Sequence, residues 1–100
     1  MLKFNVRNQS ISRIDNFSAA EKSANYLIAV FDFKTEDWQD TQKTAVFKNL
    51  STGIEYDATL DEDHCVVPWE AIDSSGMCEV SVYGVNDTYK ITTDIASFKV

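Results

Sequence analysis

Apolar and polar positions alternate along most of this chain with the two-residue period of a strand. Leu2, Phe4 and Val6 alternate with Lys3, Asn5 and Arg7, which predicts a first strand with one wet face. Ile11–Arg13 resumes the pattern after a polar break at Asn8–Gln9–Ser10. From Tyr26 to Phe33, one face carries Leu27, Ala29, Phe31 and Phe33 and the other carries Tyr26, Ile28, Val30 and Asp32. Apolar residues on both sides predict a strand covered, at least in part, on both faces. Lys43 to Lys48 is the next strand, with Ala45 and Phe47 toward the core and Thr44, Val46 and Lys48 opposite. Between these two runs lie Thr35, Glu36, Asp37, Gln39 and Asp40, with Trp38 in their midst. Both runs are rich in β-branched and aromatic residues. They are expected to be neighbouring strands joined by a loop that drops an indole onto the core.

The second half reads the same way. Ile54, Tyr56, Ala58 and Leu60 alternate with Glu55, Asp57 and Thr59 after a turn at 49–53, where Gly53 supplies a positive φ. Cys65–Val66–Val67 is a strand that Pro68 ends, since proline cannot donate to a ladder. Trp69 to Ile72 is expected to form a helical turn crossing to the other sheet. In the strand Met77 to Gly84, Cys78, Val80 and Val82 share one face, and Met77, Glu79, Ser81 and Tyr83 share the other. Asn86–Asp87 signals a hairpin turn, and the stretches Tyr89 to Thr93 and Ile95 to Val100 return as strands. Ser18–Ala19–Ala20–Glu21 has capping-box spacing, but no apolar helical stripe follows it. A loop anchored by Phe17 is therefore expected there. Eight or so short strands without a long helix predict an all-β fold, a β-sandwich forming one domain over residues 1–100.

Charge narrows the partners. Sixteen acidic against nine basic residues give a net charge of −7. Lys3, Arg7, Arg13, Lys34, Lys43 and Lys48 are spread along the chain, with no basic footprint to neutralise phosphates, so nucleic acid is not an expected partner. An anionic membrane surface is disfavoured for the same reason. No run approaches the roughly 18 apolar residues of a membrane span, so no membrane insertion is expected. The start, Met1 to Asn5, has no apolar export segment, and a soluble chain made in a cytosol is expected. Cys65 and Cys78 are then expected as reduced core residues, with a disulfide between adjacent strands as the alternative.

Little in the sequence suggests chemistry. The acidic groups Glu36–Asp37–Asp40 and Asp61–Glu62–Asp63 lack the calcium-loop pattern and read as solvated turns. His64 is the only imidazole. As a neighbour of Cys65 in a strand it points to the opposite face, and two cysteines with one histidine make no zinc shell. No nucleophile has a visible base, and a sandwich of this size has little room for a carboxylate-lined cleft. No catalytic residue, cofactor or metal is expected. Trp38 and Trp69 are expected as core plugs, one at each end of the sandwich. The alternative is a sugar-stacking platform built on them. Tyr83, with Tyr26, Ile28 and Val30, makes a candidate apolar interface.

The order of these features resembles the N-terminal immunoglobulin-like β-sandwich domain of bacteriophage baseplate and tail proteins, from phages and prophages of Gram-positive bacteria. The residues that carry it are Tyr26, Leu27, Ala29 and Phe31; then Trp38; then Lys43, Thr44, Ala45 and Phe47. Next come Leu60, an acidic turn, Cys65–Val66–Val67–Pro68–Trp69–Glu70, Val80–Ser81–Val82–Tyr83–Gly84 and Ile91–Thr92–Thr93. The likeness runs over residues 2–100. It implies an antiparallel immunoglobulin-like sandwich of about seven to nine strands. It also implies a non-catalytic adaptor made in the bacterial cytoplasm and assembled into the virion tail, which docks a receptor-binding or fibre segment. Its partners would be other tail or baseplate proteins, or itself as an oligomer. The competing expectation is a carbohydrate-binding module of a host-recognition protein, stacking sugars on Trp38 or Trp69. Longer members continue into a helical linker or fibre where this sequence stops at Val100, so either an excised domain or a small stand-alone protein is expected.

Overall fold

The computed structural model describes residues 1–17 and 27–100. Among these described residues nine strands follow in order: β1 (Leu2–Arg7), β2 (Ser10–Arg13), β3 (Ile28–Phe33), β4 (Gln42–Asn49), β5 (Ile54–Thr59), β6 (His64–Val66), β7 (Met77–Val85), β8 (Lys90–Thr92) and β9 (Ala96–Lys99). Short 3₁₀ turns stand at Glu36–Trp38 and Trp69–Ile72. One sheet has the order β2-β1-β3-β6; the other has five strands, β5-β4-β7 continued by β8 and β9 along successive stretches of β7. The protein is the all-β sandwich that the alternation predicts. One pair departs from the antiparallel rule: β1 and β3 run parallel, with Phe4 opposite Phe31. The β1–β2 hairpin returns the chain to the Leu2 end, where Ile14 N–H bonds Lys3 O, and β3 then starts beside the start of β1. The capping-box spacing at 18–21 and Tyr26 lie outside the described residues.

The strands to either side of Trp38 are not neighbours. β3 belongs to the four-stranded sheet and β4 to the five-stranded one. Alternation reports which residues face inward but not which sheet a strand joins. The connection crosses between layers, and its 3₁₀ turn buries Trp38 in the gap.

Inward positions match the pattern closely. Leu2, Phe4, Val6, Ala29, Phe31, Ala45, Phe47, Cys78, Val80, Val82 and Phe98 are all buried. Rings line up along the core: Phe4 stacks on Phe31 at 5.1 Å, Phe31 on Phe33 at 6.4 Å, and Phe33 tilts against Trp38 at 5.1 Å. Each such pair adds about 0.5–1.5 kcal/mol beyond its burial.

One side of the sandwich is closed at the break between β8 and β9. Thr93 N–H bonds Val82 O, and the Thr93 hydroxyl accepts the Val82 N–H at 3.0 Å while donating to Asp94 O at 2.8 Å. A side chain thus replaces the backbone acceptor where the edge strand kinks. The Asp94 carboxylate then accepts the Ile11 N–H at 2.8 Å and its own N–H bonds Gln9 O, which ties this edge to β2 of the other sheet.

Candidate interaction surface

The four sequence-derived interface residues do not gather. Ile28 and Val30 are half-buried on the outer face of the four-stranded sheet, while Tyr83 is half-buried on the outer face of the five-stranded sheet. They lie on opposite sides of the sandwich, and Tyr26 is outside the described residues. Lys90 Nζ sits 4.7 Å from the Tyr83 ring centroid and covers it.

The two tryptophans differ. Trp38 is the expected plug, 1% exposed. Its indole N–H donates to Asn8 O at 2.7 Å, and the Thr41 hydroxyl donates to Trp38 O at 2.7 Å. Gly84 leaves it room, because a Cβ there would stand 3.1 Å from Trp38 Cε3 and 2.7 Å from Thr41 Oγ1. Trp69 is not a plug: it is 52% exposed. Its 3₁₀ turn buries Ala71 and Ile72 instead. The cause is Asn49, a buried side chain at the end of β4 whose amide donates to Ala71 O at 2.8 Å and Ser74 O at 2.9 Å and whose oxygen accepts the Ser51 N–H at 2.8 Å. Asn49 has four hydrogen-bonding places, and burial makes each unfilled one costly. Gripping the turn through these two carbonyls fills both donor places, the Ser51 N–H fills one acceptor place, and Ala71 and Ile72 take the place at the core's end.

The Trp69 turn therefore packs against β4 and β5, beside the start of β7. Leu50 N–H bonds Met77 O at 2.9 Å, and Ile54 stands opposite Asn49. Leu50, Ile54 and Met77 are exposed, as Trp69 is. Met77 falls on the outward face that alternation gives it. Ile54 does not follow, because the inward side of β5 at this end runs past the core. Leu50 carries a signal in the sequence: a large apolar residue in a turn otherwise made of Asn49, Ser51, Thr52 and Gly53.

Elsewhere the surface holds open depressions. One of about 410 Å³ lies on the outer face of the four-stranded sheet beside Lys3, Ile14, Val30 and Asp32. Another of about 210 Å³ opens over Phe33. Lys43 Nζ is 5.1 Å from that ring's centroid and donates to Thr41 O at 3.2 Å. Burial pulls the Lys43 ammonium below the usual lysine value. The lysine already occupies the ring face that a sugar would need.

The thiols are free and buried, and they sit in different sheets, Cys65 in β6 and Cys78 in β7. They are not on adjacent strands, so the alternative disulfide is not formed. Burial pushes both thiols up to about 12, with the Glu79 carboxylate adding to the effect at Cys78. At neutral pH they are protonated and poor nucleophiles. His64 Nδ1 lies 3.4 Å from Asp63 Oδ1 on the face away from Cys65. Among the described residues, no three His, Cys, Asp or Glu side chains are grouped to hold a metal ion, and no helix is long and apolar enough to cross a membrane. Set against protein-family models, curated proteins and solved structures, the chain matches none.

Proposed function

We propose that this chain is a structural adaptor domain of a bacteriophage or prophage tail or baseplate, acting through protein–protein contacts and without chemistry of its own. The observation that carries this reading is the exposed Trp69 on a turn that Asn49 grips through Ala71 O and Ser74 O, with Leu50, Ile54 and Met77 also exposed at the neighbouring ends of β4, β5 and β7. A tryptophan held on a fixed scaffold supplies large contact area at small entropic cost, which is why interface hot spots favour it. The stretch Cys65–Val66–Val67–Pro68–Trp69–Glu70, which carries much of the likeness to tail domains, is the one that builds this end. β6 lays Cys65 into the core, Pro68 follows the strand, and Trp69 stands outward. The buried thiols add no reactive nucleophile to the surface. The test is sedimentation of tail particles from cells that express the chain, with detection by antibody. The chain should travel with the particles after a high-salt wash. Its recovery only as free protein would contradict the reading.

Trp69 also favours a second reading, a carbohydrate-binding module, since that reading requires one exposed tryptophan beside polar groups and Glu70 adjoins it. Fluorescence distinguishes the two. Trp38 supplies a blue-shifted, shielded emission and Trp69 a red, quenchable one. A blue shift of the Trp69 component with host-wall glycans would favour sugar binding, and no change would favour protein contacts.

A further inference from the structure

The sandwich has a second surface, remote in kind from the apolar end: the open edge of β5. Among the described residues β5 pairs only with β4. The register places Ala45 opposite Ala58 and Phe47 opposite Tyr56, and Leu60 N–H bonds Lys43 O at 3.0 Å, one step further along the same register. In an antiparallel ladder, hydrogen-bonded pairs alternate with non-bonded ones. Leu60, Ala58 and Tyr56 therefore turn their backbone groups toward β4. Glu55, Asp57 and Thr59 turn theirs outward, to the open edge.

The side chains on this edge carry a sign. Glu55, Asp57 and Thr59 are all exposed, and among the described residues neither acid is in an ion pair. Lys48 faces Glu55 from β4, but it also faces Glu79 on β7, and Asp57 stands opposite Val46, so the β5 edge itself stays acidic. Antiparallel pairing with a second copy, centred on the strand, sets Asp57 against Asp57. The adjacent register sets Glu55 against Asp57. Like charges directly opposite are destabilising. Charge thus disfavours pairing with a second copy in the two centred registers, while the backbone groups stay open to a strand of opposite sign. On its other side β5 offers Tyr56 and Ala58, half-buried at the core's rim.

We infer that the β5 edge accepts an extended segment of a protein partner in which basic residues alternate with apolar ones, added to the five-stranded sheet as a further strand. Lys or Arg side chains stand against Glu55 and Asp57, and the alternating apolar residues extend the core rim beside Tyr56 and Ala58. Backbone bonds supply affinity, and the alternate side chains supply selectivity. The inference rests on the protein-contact reading only in taking the partner as a protein.

The experiment titrates the full chain with the capped peptide acetyl-Thr-Lys-Val-Lys-Val-Lys-Thr-amide, read by amide hydrogen exchange and fluorescence polarisation. The expected result is slowed exchange at the outward amides of Glu55, Asp57 and Thr59. The double variant Glu55→Gln, Asp57→Asn should weaken binding about tenfold, from two lost cross-strand charge pairs. Replacing the peptide's central lysine by proline should abolish it. Unchanged exchange at these amides with the peptide in excess overturns the inference, as does equal affinity for the double variant or the proline peptide. Exchange of the free variant checks that its fold is intact. Failure here leaves the apolar end untouched, since a crosslinker placed at position 69 tests that surface separately.

Discussion

Single residues account for much of what is rigid here. Asp15 joins three parts of the chain: its carboxylate accepts the Lys3 N–H at 2.6 Å, the Phe17 N–H at 2.8 Å and the Arg13 guanidinium at 2.9 Å. Burial pushes its carboxyl up, but the Arg13 and backbone hydrogen bonds outweigh that and hold it below the ordinary value of 3.8. The stabilisation is therefore complete above that value, where the unfolded chain's carboxyl is also ionised. It is lost as pH falls from there through the lower folded value. Asp15→Asn should cost about 1–2 kcal/mol at neutral pH and flatten the stability profile below pH ~4, as chemical denaturation across pH would measure. The cysteines make a second prediction at this scale. With both thiols buried and pushed up to about 12, a thiol reagent at pH 8 should label neither in the native protein and both in denaturant. Rapid native labelling of either would show that its burial is wrong.

At the scale of elements, most of the fold was legible. Strict alternation at Leu2–Arg7, Ile54–Thr59 and Met77–Val85 marks these strands almost to the residue, because a one-residue slip would expose a whole buried face. Pro68 and Asn86 mark their turns through backbone chemistry that depends on no partner: Asn86 Oδ1 accepts the N–H of Thr88 and of Tyr89. What alternation cannot carry is sheet membership. β3 and β4 read as neighbours yet lie in different layers, and Val30 and Tyr83 read as one patch yet lie on opposite sides. Trp69 was misread for a related reason. A turn's facing is set by Asn49, twenty residues upstream, and no local pattern encodes that grip. The kink at Thr93 was equally hidden, since it read as part of a plain returning strand. Thr93→Val keeps the shape but removes the acceptor for the Val82 N–H. It should cost about 1–3 kcal/mol and speed exchange of the Val82 amide. An unchanged Val82 amide would mean that the hydroxyl does not hold this edge.

At the scale of the whole molecule, the sandwich divides its surface by sign and polarity. One end is apolar, around Trp69; one sheet edge is acidic, at Glu55 and Asp57; the opposite edge is tied shut through Asp94 to β2. Its core holds thiols that burial keeps protonated. Such a division suits a part that is gripped by others, with contact area concentrated where the backbone is fixed. The net charge of −7 sets copies to repel at long range and leaves close association to the apolar end and to partners of opposite charge. The most direct measurement places a photo-crosslinking amino acid at position 69 in assembled particles, with a control at Asp87, an exposed turn residue beyond the far end of β7. The account predicts a discrete protein adduct, a tail component or a second copy, from position 69 and none from position 87. No protein adduct from position 69, or capture of glycan alone, would contradict it.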